Sequence, residues 1–228
     1  MERLILISPA GVTPETEEFT EKRRARARTS LSWRLLGGFY TGIFFPNFSF
    51  GNILRAFPSW SENKFLEYME KRIPAITDLE ERTAVAKYLH LNTSLPGSGE
   101  HCLPHFLTPF AFGKNPTEFR IPNLKVPHVS FLYGKHDWMD ATGALRVQAT
   151  CEQKQAAPKV DVYQVSDAGH LLMLDNWREF NAGMVMSAGL EPKKNEPTPV
   201  KLHPGESFQQ TNEMERTVRR MPTEPVAA

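Results

Sequence analysis

The 228-residue sequence predicts an α/β fold built on parallel strands. Three runs of strand-forming residues carry that reading: Leu4 to Ile7 (LILI), Val126 to Tyr133 (VPHVSFLY) and Val160 to Val165 (VDVYQV). Each is apolar enough for burial on both faces, as in the interior of a parallel sheet. A helix expected from Ala141 to Gln155 separates the second run from the third, and strand, helix, strand is the pattern of a parallel pair. Between the first run and the second lies a long, mostly helical insertion, which reads as a cap or lid.

The first run follows Met1-Glu2-Arg3, is too short for the core of a signal peptide, and ends in the turn Ser8-Pro9-Ala10-Gly11. The insertion opens on a polar stretch from Glu15 to Arg28, in which Lys22, Arg23, Arg24, Arg26 and Arg28 stand close together. It then turns aromatic. Phe39, Tyr40, Phe44, Phe45, Phe48, Phe50 and Phe57 lie between Trp33 and Trp60, and Gly37, Gly38, Gly42 and Gly51 break the stretch into short helices and loops. Ser59 with Glu62 has capping-box spacing, and Leu66, Met69 and Ile73 follow at helical intervals until Pro74. Thr77 with Glu80 repeats that signature ahead of a helix whose expected buried stripe is Leu79, Thr83, Ala86 and Leu89. That helix runs out near Asn92, before the turn-rich Pro96-Gly97-Ser98-Gly99, and a short helix is expected from His101 to Leu107. After Gly189 the chain is rich in Pro, Glu, Lys, Thr and Gln, so 190–228 reads as a disordered tail, with Arg216, Arg219 and Arg220 solvated.

Composition narrows the function classes. With 40% hydrophobic and 23% charged residues the chain is neither collagen-like, coiled-coil nor wholly disordered. Its net charge of +1 gives no chain-wide field for nucleic acid. Cys102 and Cys151 are too few for a disulfide scaffold and lack the close spacing of a zinc or redox motif, which points to a reducing, intracellular compartment. No apolar run reaches the roughly 18 residues of a membrane span. His101 and His105 stand i,i+4 with Cys102 between them, but no third ligand has zinc-like spacing, so no metal and no cofactor is expected.

The chemistry concentrates in the loops after the second and third strands. Gly134-Lys135-His136-Asp137-Trp138-Met139-Asp140 follows one, and Asp167-Ala168-Gly169-His170 follows the next. Open α/β sheets carry their functional groups at these carboxyl ends. Carboxylate then histidine is also the chain order of an α/β-hydrolase triad, in which the acid orients the imidazole and the imidazole takes the nucleophile's proton. Asp137 is preferred as the acid because it comes just past the strand end, with Asp140 as competitor, since spacing alone fits both.

Together, RLILISPAGV, YLHLNTSLPGSGE, VPHVSFLYGKHDWMD and GHLLMLDNWREFN resemble the lipid-active α/β-hydrolase group. That group includes lysophosphatidic acid acyltransferase/lipase co-activators, N-acyl phosphatidylethanolamine lipases and fungal cardiolipin-specific phospholipases. The resemblance implies that residues 1–11 hold the sixth strand of an eight-stranded sheet, 12–122 the cap, and 123–189 the last two strands. It makes His170 the triad histidine and matches His170 to Asp175 to the family's H-x-x-x-x-D pattern, which is linked to acyl transfer onto lysophosphatidic acid. It also implies a lipid or lysophospholipid substrate and a peripheral place on a membrane or lipid droplet surface, endoplasmic reticulum or mitochondrion included. The Arg-rich and aromatic stretches suit that place as an interfacial anchor, and equally suit an ordinary lid helix over a fatty substrate pocket. The family's G-x-S-x-G elbow does not occur in the sequence: Pro96 to Glu100 lacks the outer glycines, and Ser187 lacks the first. The HG-type oxyanion loop is missing as well. The expectation is an N-terminally truncated α/β-hydrolase that is nearly inactive alone. The competing expectation is a non-catalytic lipid-binding or lipase-regulating module.

Overall fold

The computed structural model describes residues 1–31, 34–35, 38, 50–73, 76–97, 99–154 and 157–206. Trp33, the aromatic run from Phe39 to Phe48, Pro74, Ser98 and the arginines at 216, 219 and 220 fall outside them. The chain divides into two compact units, one formed by Met1–Pro9 with the chain from Thr117 onward, the other by Ala10–Pro116.

The first unit is built on a four-stranded sheet in the order β1-β2-β3-β4, with β1 at Arg3–Ile7, β2 at His128–Gly134, β3 at Lys159–Val165 and β4 at Val200–Leu202. β1, β2 and β3 are parallel, in a register that aligns Ile7 with Leu132 and Leu132 with Tyr163. Helix α6 (Thr142–Gln153) makes the crossover between β2 and β3, and helices α7 (Leu172–Asp175) and α8 (Trp177–Ser187) follow β3. Side chains alternate across a strand. Leu132, Tyr163 and Val165 therefore form one buried surface with Ala168, Leu172 and Phe180, against which Ile5, Ile7, Met184 and Met186 pack. Phe131 and Tyr133, fully buried, stack on the alternate face with ring centroids 6.3 Å apart.

One expectation fails in this unit. Val200–Leu202, inside the stretch read as a disordered tail, pairs antiparallel with β3. Composition missed it because three residues between Pro199 and His203 are too few to register, whereas the open edge of β3 supplies the hydrogen-bonding partners that hold them. Gln148 in α6 ties the edge down by donating from Nε2 to the carbonyls of Val160 and Leu202. β1 has β2 as its one strand partner among the described residues, and Leu4 to Ile7 are half-buried.

The second unit is helical: α1 (Glu17–Thr29), α2 (Phe50–Ala56), α3 (Pro58–Arg72), α4 (Leu79–Ser94) and the single turn α5 (Leu103–Phe106). α1 forms from the Arg-rich stretch, helped by Glu17 and Glu18 in its first turn and by a Lys22–Glu18 pair one turn apart. Two local expectations are corrected here. Pro58 at the first position starts α3 behind Phe57, so Ser59 and Glu62 lie inside the helix instead of capping it. α4 is capped by Asp78, whose carboxylate accepts from the Glu81 amide at 2.7 Å, and not by Thr77. Of its expected stripe Ala86 is buried and Leu89 half-buried, while Leu79 and Thr83 are exposed. α3 and α4 are pinned by Ser61, which donates to the Pro58 carbonyl and meets His90 Nδ1, both at 2.9 Å. The stretch expected as one helix from His101 to Leu107 is a 3₁₀ turn at Gly99–Cys102 followed by α5.

Candidate active site

The loops after β2 and β3 are held together by their backbones. Lys135 donates its amide to the Val165 carbonyl and His136 to that of Ala168, each at 2.9 Å. Gly134 makes this possible: a Cβ there would fall against the carbonyl oxygens of Gly169 and Ala168, so any side chain would force the loops apart. Asp167 completes the second loop with a left-handed backbone, φ 49°.

Out of that frame His170 turns its Nδ1 to Asp137 Oδ1 at 3.1 Å. An ionised carboxylate only accepts, so Nδ1 carries the hydrogen and the neutral imidazole keeps its lone pair on Nε2. Asp137 is fully buried, whereas the His170 side chain is 34% exposed, so the acid is sealed while the base meets what enters from outside. The Met139 amide donates to the same Oδ1 at 3.0 Å, and Oδ2 has no hydrogen-bond partner among the described residues. The Trp138 ring lies 5.2 Å from the imidazole, tilted by 51°, and limits its swing.

The competing acid is turned elsewhere. Asp140 Oδ1 accepts from the Thr142 amide at 2.9 Å and its hydroxyl at 2.6 Å, closing a local turn just ahead of α6 from an exposed position. Asp175 serves the loop: its Oδ2 accepts from the Gly169 amide at 2.8 Å, immediately before His170. Thus Asp137 meets His170, Asp175 holds the backbone amide just before it, and Asp140 bonds to Thr142.

Sequence reading missed two supports. Glu179, buried in α8, accepts from the Ser166 amide at 2.9 Å, and Asn176 donates to the Ser166 carbonyl at 2.8 Å and to Glu179 at 2.9 Å. Asn176 is also the N-cap of α8, so the N-x-x-E spacing of a capping box was the available signal. Burial, with the nearby Asp140 and Asp137 carboxylates, pushes the Tyr133 phenol well above its usual pKa and keeps it protonated beside the site.

At the opposite end of the strands, Asp161 takes Lys201 Nζ at 2.6 Å, and His128 Nε2 lies 2.6 Å from its other oxygen, off the line of a good hydrogen bond. Burial raises the Asp161 carboxyl, but the Lys201 ammonium, helped by His128 and Lys159, outweighs it and leaves the pKa lowered. His101, Cys102 and His105 lie in the other unit, and among the described residues no group of three His, Cys, Asp or Glu side chains is placed to hold a metal ion. No described helix is long and apolar enough to cross a membrane.

No family model matches the chain. Over 192 residues, 81% of the chain, it is 27% identical to a probable 1-acylglycerol-3-phosphate O-acyltransferase of Oryza sativa subsp. japonica. It is 25% identical to a 1-acylglycerol-3-phosphate O-acyltransferase of Arabidopsis thaliana over 193 residues and 26% identical to 1-acylglycerol-3-phosphate O-acyltransferase ICT1 of Saccharomyces cerevisiae over 194, again 81% of the chain in each case. The chain is similar to 1-acylglycerol-3-phosphate O-acyltransferases. It spans less than half the length of these curated relatives: 43% of the two plant proteins and 48% of the yeast one. Among solved structures, the α/β hydrolase MGS-M2 from a deep-sea metagenome library aligns over 85% of this chain and 58% of its own, at TM-score 0.42 and 13% identity. MenH of S. aureus aligns over 83% and 59%, at 0.40 and 16%.

Proposed function

We propose that the chain carries the acid–base pair of an acyl transfer between lipids, with a lysophospholipid hydroxyl as acceptor. The observation that carries this is the Asp137–His170 hydrogen bond at the carboxyl edge of the parallel sheet, which leaves His170 Nε2 as a base open to the outside. The similarity to 1-acylglycerol-3-phosphate O-acyltransferases supports the choice of acceptor. As the acceptor oxygen attacks the donor's acyl carbonyl carbon, Nε2 takes its proton. When the bond from that carbon to the donor's leaving oxygen or sulfur breaks, the imidazolium returns the proton to the leaving atom. Asp137 stays ionised and stabilises the imidazolium between the two steps. Asp175 holds the Gly169-His170 backbone in place. A surface role on a membrane is compatible with α1, where Arg24 and Arg28 are exposed, although Lys22 and Arg23 are engaged by Glu18 and Glu15.

The test is acyl transfer to 1-acylglycerol 3-phosphate, with His170→Ala expected to abolish turnover and Asp137→Asn to lower it by about 10⁴, because the imidazole then adopts the wrong tautomer. The competing reading is a non-catalytic lipid-binding module. Lipid binding without turnover, unchanged by His170→Ala, would establish that reading instead. In both, hydrolysis of a short-chain ester by this chain stays at background.

A further inference from the structure

We propose that His128 is a pH-sensitive latch: its neutral ring holds the Arg3 side chain across the amino ends of β1 and β2, and a second proton on that ring releases Arg3. The latch lies at the end of the sheet opposite Asp137 and His170, and it does not depend on the function proposed above.

The contacts run across all four strands. Arg3 Nη1 is 3.1 Å from His128 Nδ1, His128 Nε2 is 2.6 Å from Asp161 Oδ2, and Asp161 Oδ1 accepts from Lys201 Nζ at 2.6 Å. The register that pairs Arg3 with His128 sets the first of them. The same Nη1 donates to the Ser187 carbonyl at 3.2 Å, so Arg3 also ties β1 to the last residue of α8. Gly189 follows with φ 82°, and a Cβ there would fall 2.3 Å from the guanidinium, so the chain turns past Arg3 at a place that suits glycine.

A guanidinium donates and never accepts. Nδ1 of His128 is therefore the bare nitrogen, which puts the single ring proton on Nε2, facing Asp161. An imidazole in ordinary surroundings gains its second proton between pH 8 and pH 5. That proton has only Nδ1 to go to, where it meets the N–H of Arg3: the bond is lost, two cations stand face to face, and the amino end of β1 and the end of α8 lose their shared tie. The charged and titratable groups around the ring are Arg3 from β1, Asp161 and Lys159 from β3, and Lys201 from β4, with the Tyr163 phenol, pushed up by burial and by Asp161, next to that carboxylate. Asp161, whose pKa is lowered, is ionised at both pH values, so it keeps the imidazolium while Arg3 leaves.

The experiment follows amide hydrogen exchange of the full chain at pH 8 and pH 5, as protection factors, so that the intrinsic effect of pH on exchange divides out. Wild-type protein, His128→Gln and Arg3→Ala are compared. Glutamine can accept from Arg3 through its oxygen and donate to Asp161 through its nitrogen, and it does not titrate. In the wild type, protection of β1 and of the Ala188, Gly189 and Leu190 amides, which bond back to α8, should fall about fivefold from pH 8 to pH 5, the worth of one net hydrogen bond, while the middle of β3 keeps its protection. Both variants should lose this pH dependence, His128→Gln at the higher level and Arg3→Ala at the lower. NMR of the wild-type ring nitrogens reads the mechanism directly, with Nδ1 expected bare at pH 8 and protonated at pH 5. Unchanged protection in the wild type, or the same fall retained in either variant, overturns the latch. So does a proton on Nδ1 at pH 8, an outcome that decides the matter even where neither variant folds.

Discussion

The sheet unit and the helical insertion hold their apolar side chains in opposite ways. In the sheet, Val129, Phe131, Leu132, Tyr133, Val162 and Val165 are all at zero exposure. In the insertion, Met69 and Ala86 are buried but Phe57, Leu79, Tyr88 and Leu91 stand more than half exposed. A strand buried on both faces gives every side chain a neighbour, whereas helices such as α3 and α4 each bury one stripe and leave the rest outward. The lesson concerns placement of chemistry. A hydrogen bond such as that from His170 to Asp137 needs a frame that does not shift by a fraction of an ångström, and the strand ends supply it.

The sharpest test of this contrast is a pair of truncations. Phe131→Ala should cost about 3–5 kcal/mol, through lost transfer energy and the cavity left in a sheet that cannot collapse around it. Tyr88→Ala, on the exposed face of α4, should stay within about 0.5 kcal/mol. Chemical denaturation of both variants checks this, and a comparable loss in each would show that Tyr88 is covered.

Smaller effects separate scaffold from chemistry within the sheet unit. Asp140→Ala removes the acceptor for the Thr142 amide and hydroxyl in the turn ahead of α6, and should cost about 1 kcal/mol with turnover nearly intact. A loss of turnover as large as that of Asp137→Asn would make Asp140 the acid.

The smallest effect lies at the far end of the strands. The lowered Asp161 pKa contributes stability that is present above the unfolded carboxyl value of about 3.9 and is lost as pH falls through the lower folded value. Lys201, raised chiefly by its hydrogen bond to Asp161, contributes below the unfolded lysine value of about 10.4 and loses that contribution as pH rises through the folded one. Asp161→Asn should therefore flatten both flanks of the stability curve while leaving the middle lower. Thermal midpoints from pH 3 to 11 measure this, and an unchanged acid flank would assign the fall there to other carboxylates.

By itself the sequence determined the three parallel strands, because runs such as VPHVSFLY and VDVYQV are too apolar and too β-branched for anything but a buried sheet. It also determined the order of carboxylate and histidine in the loops that follow. Helix starts were less legible: Ser59 and Thr77 have the right chemistry, but Pro58 and Asp78 decide where the backbone turns. Only the tertiary structure shows which of Asp137 and Asp140 meets His170. They stand three residues apart with the same side chain, and the difference is that one is buried against His170 while the other is drawn to the Thr142 amide. β4, the closeness enforced at Gly134 and the contact of Arg3 with His128 were equally invisible along the chain. Each depends on what a residue meets across the sheet, and such a partner is set by register and packing and not by the neighbours in sequence.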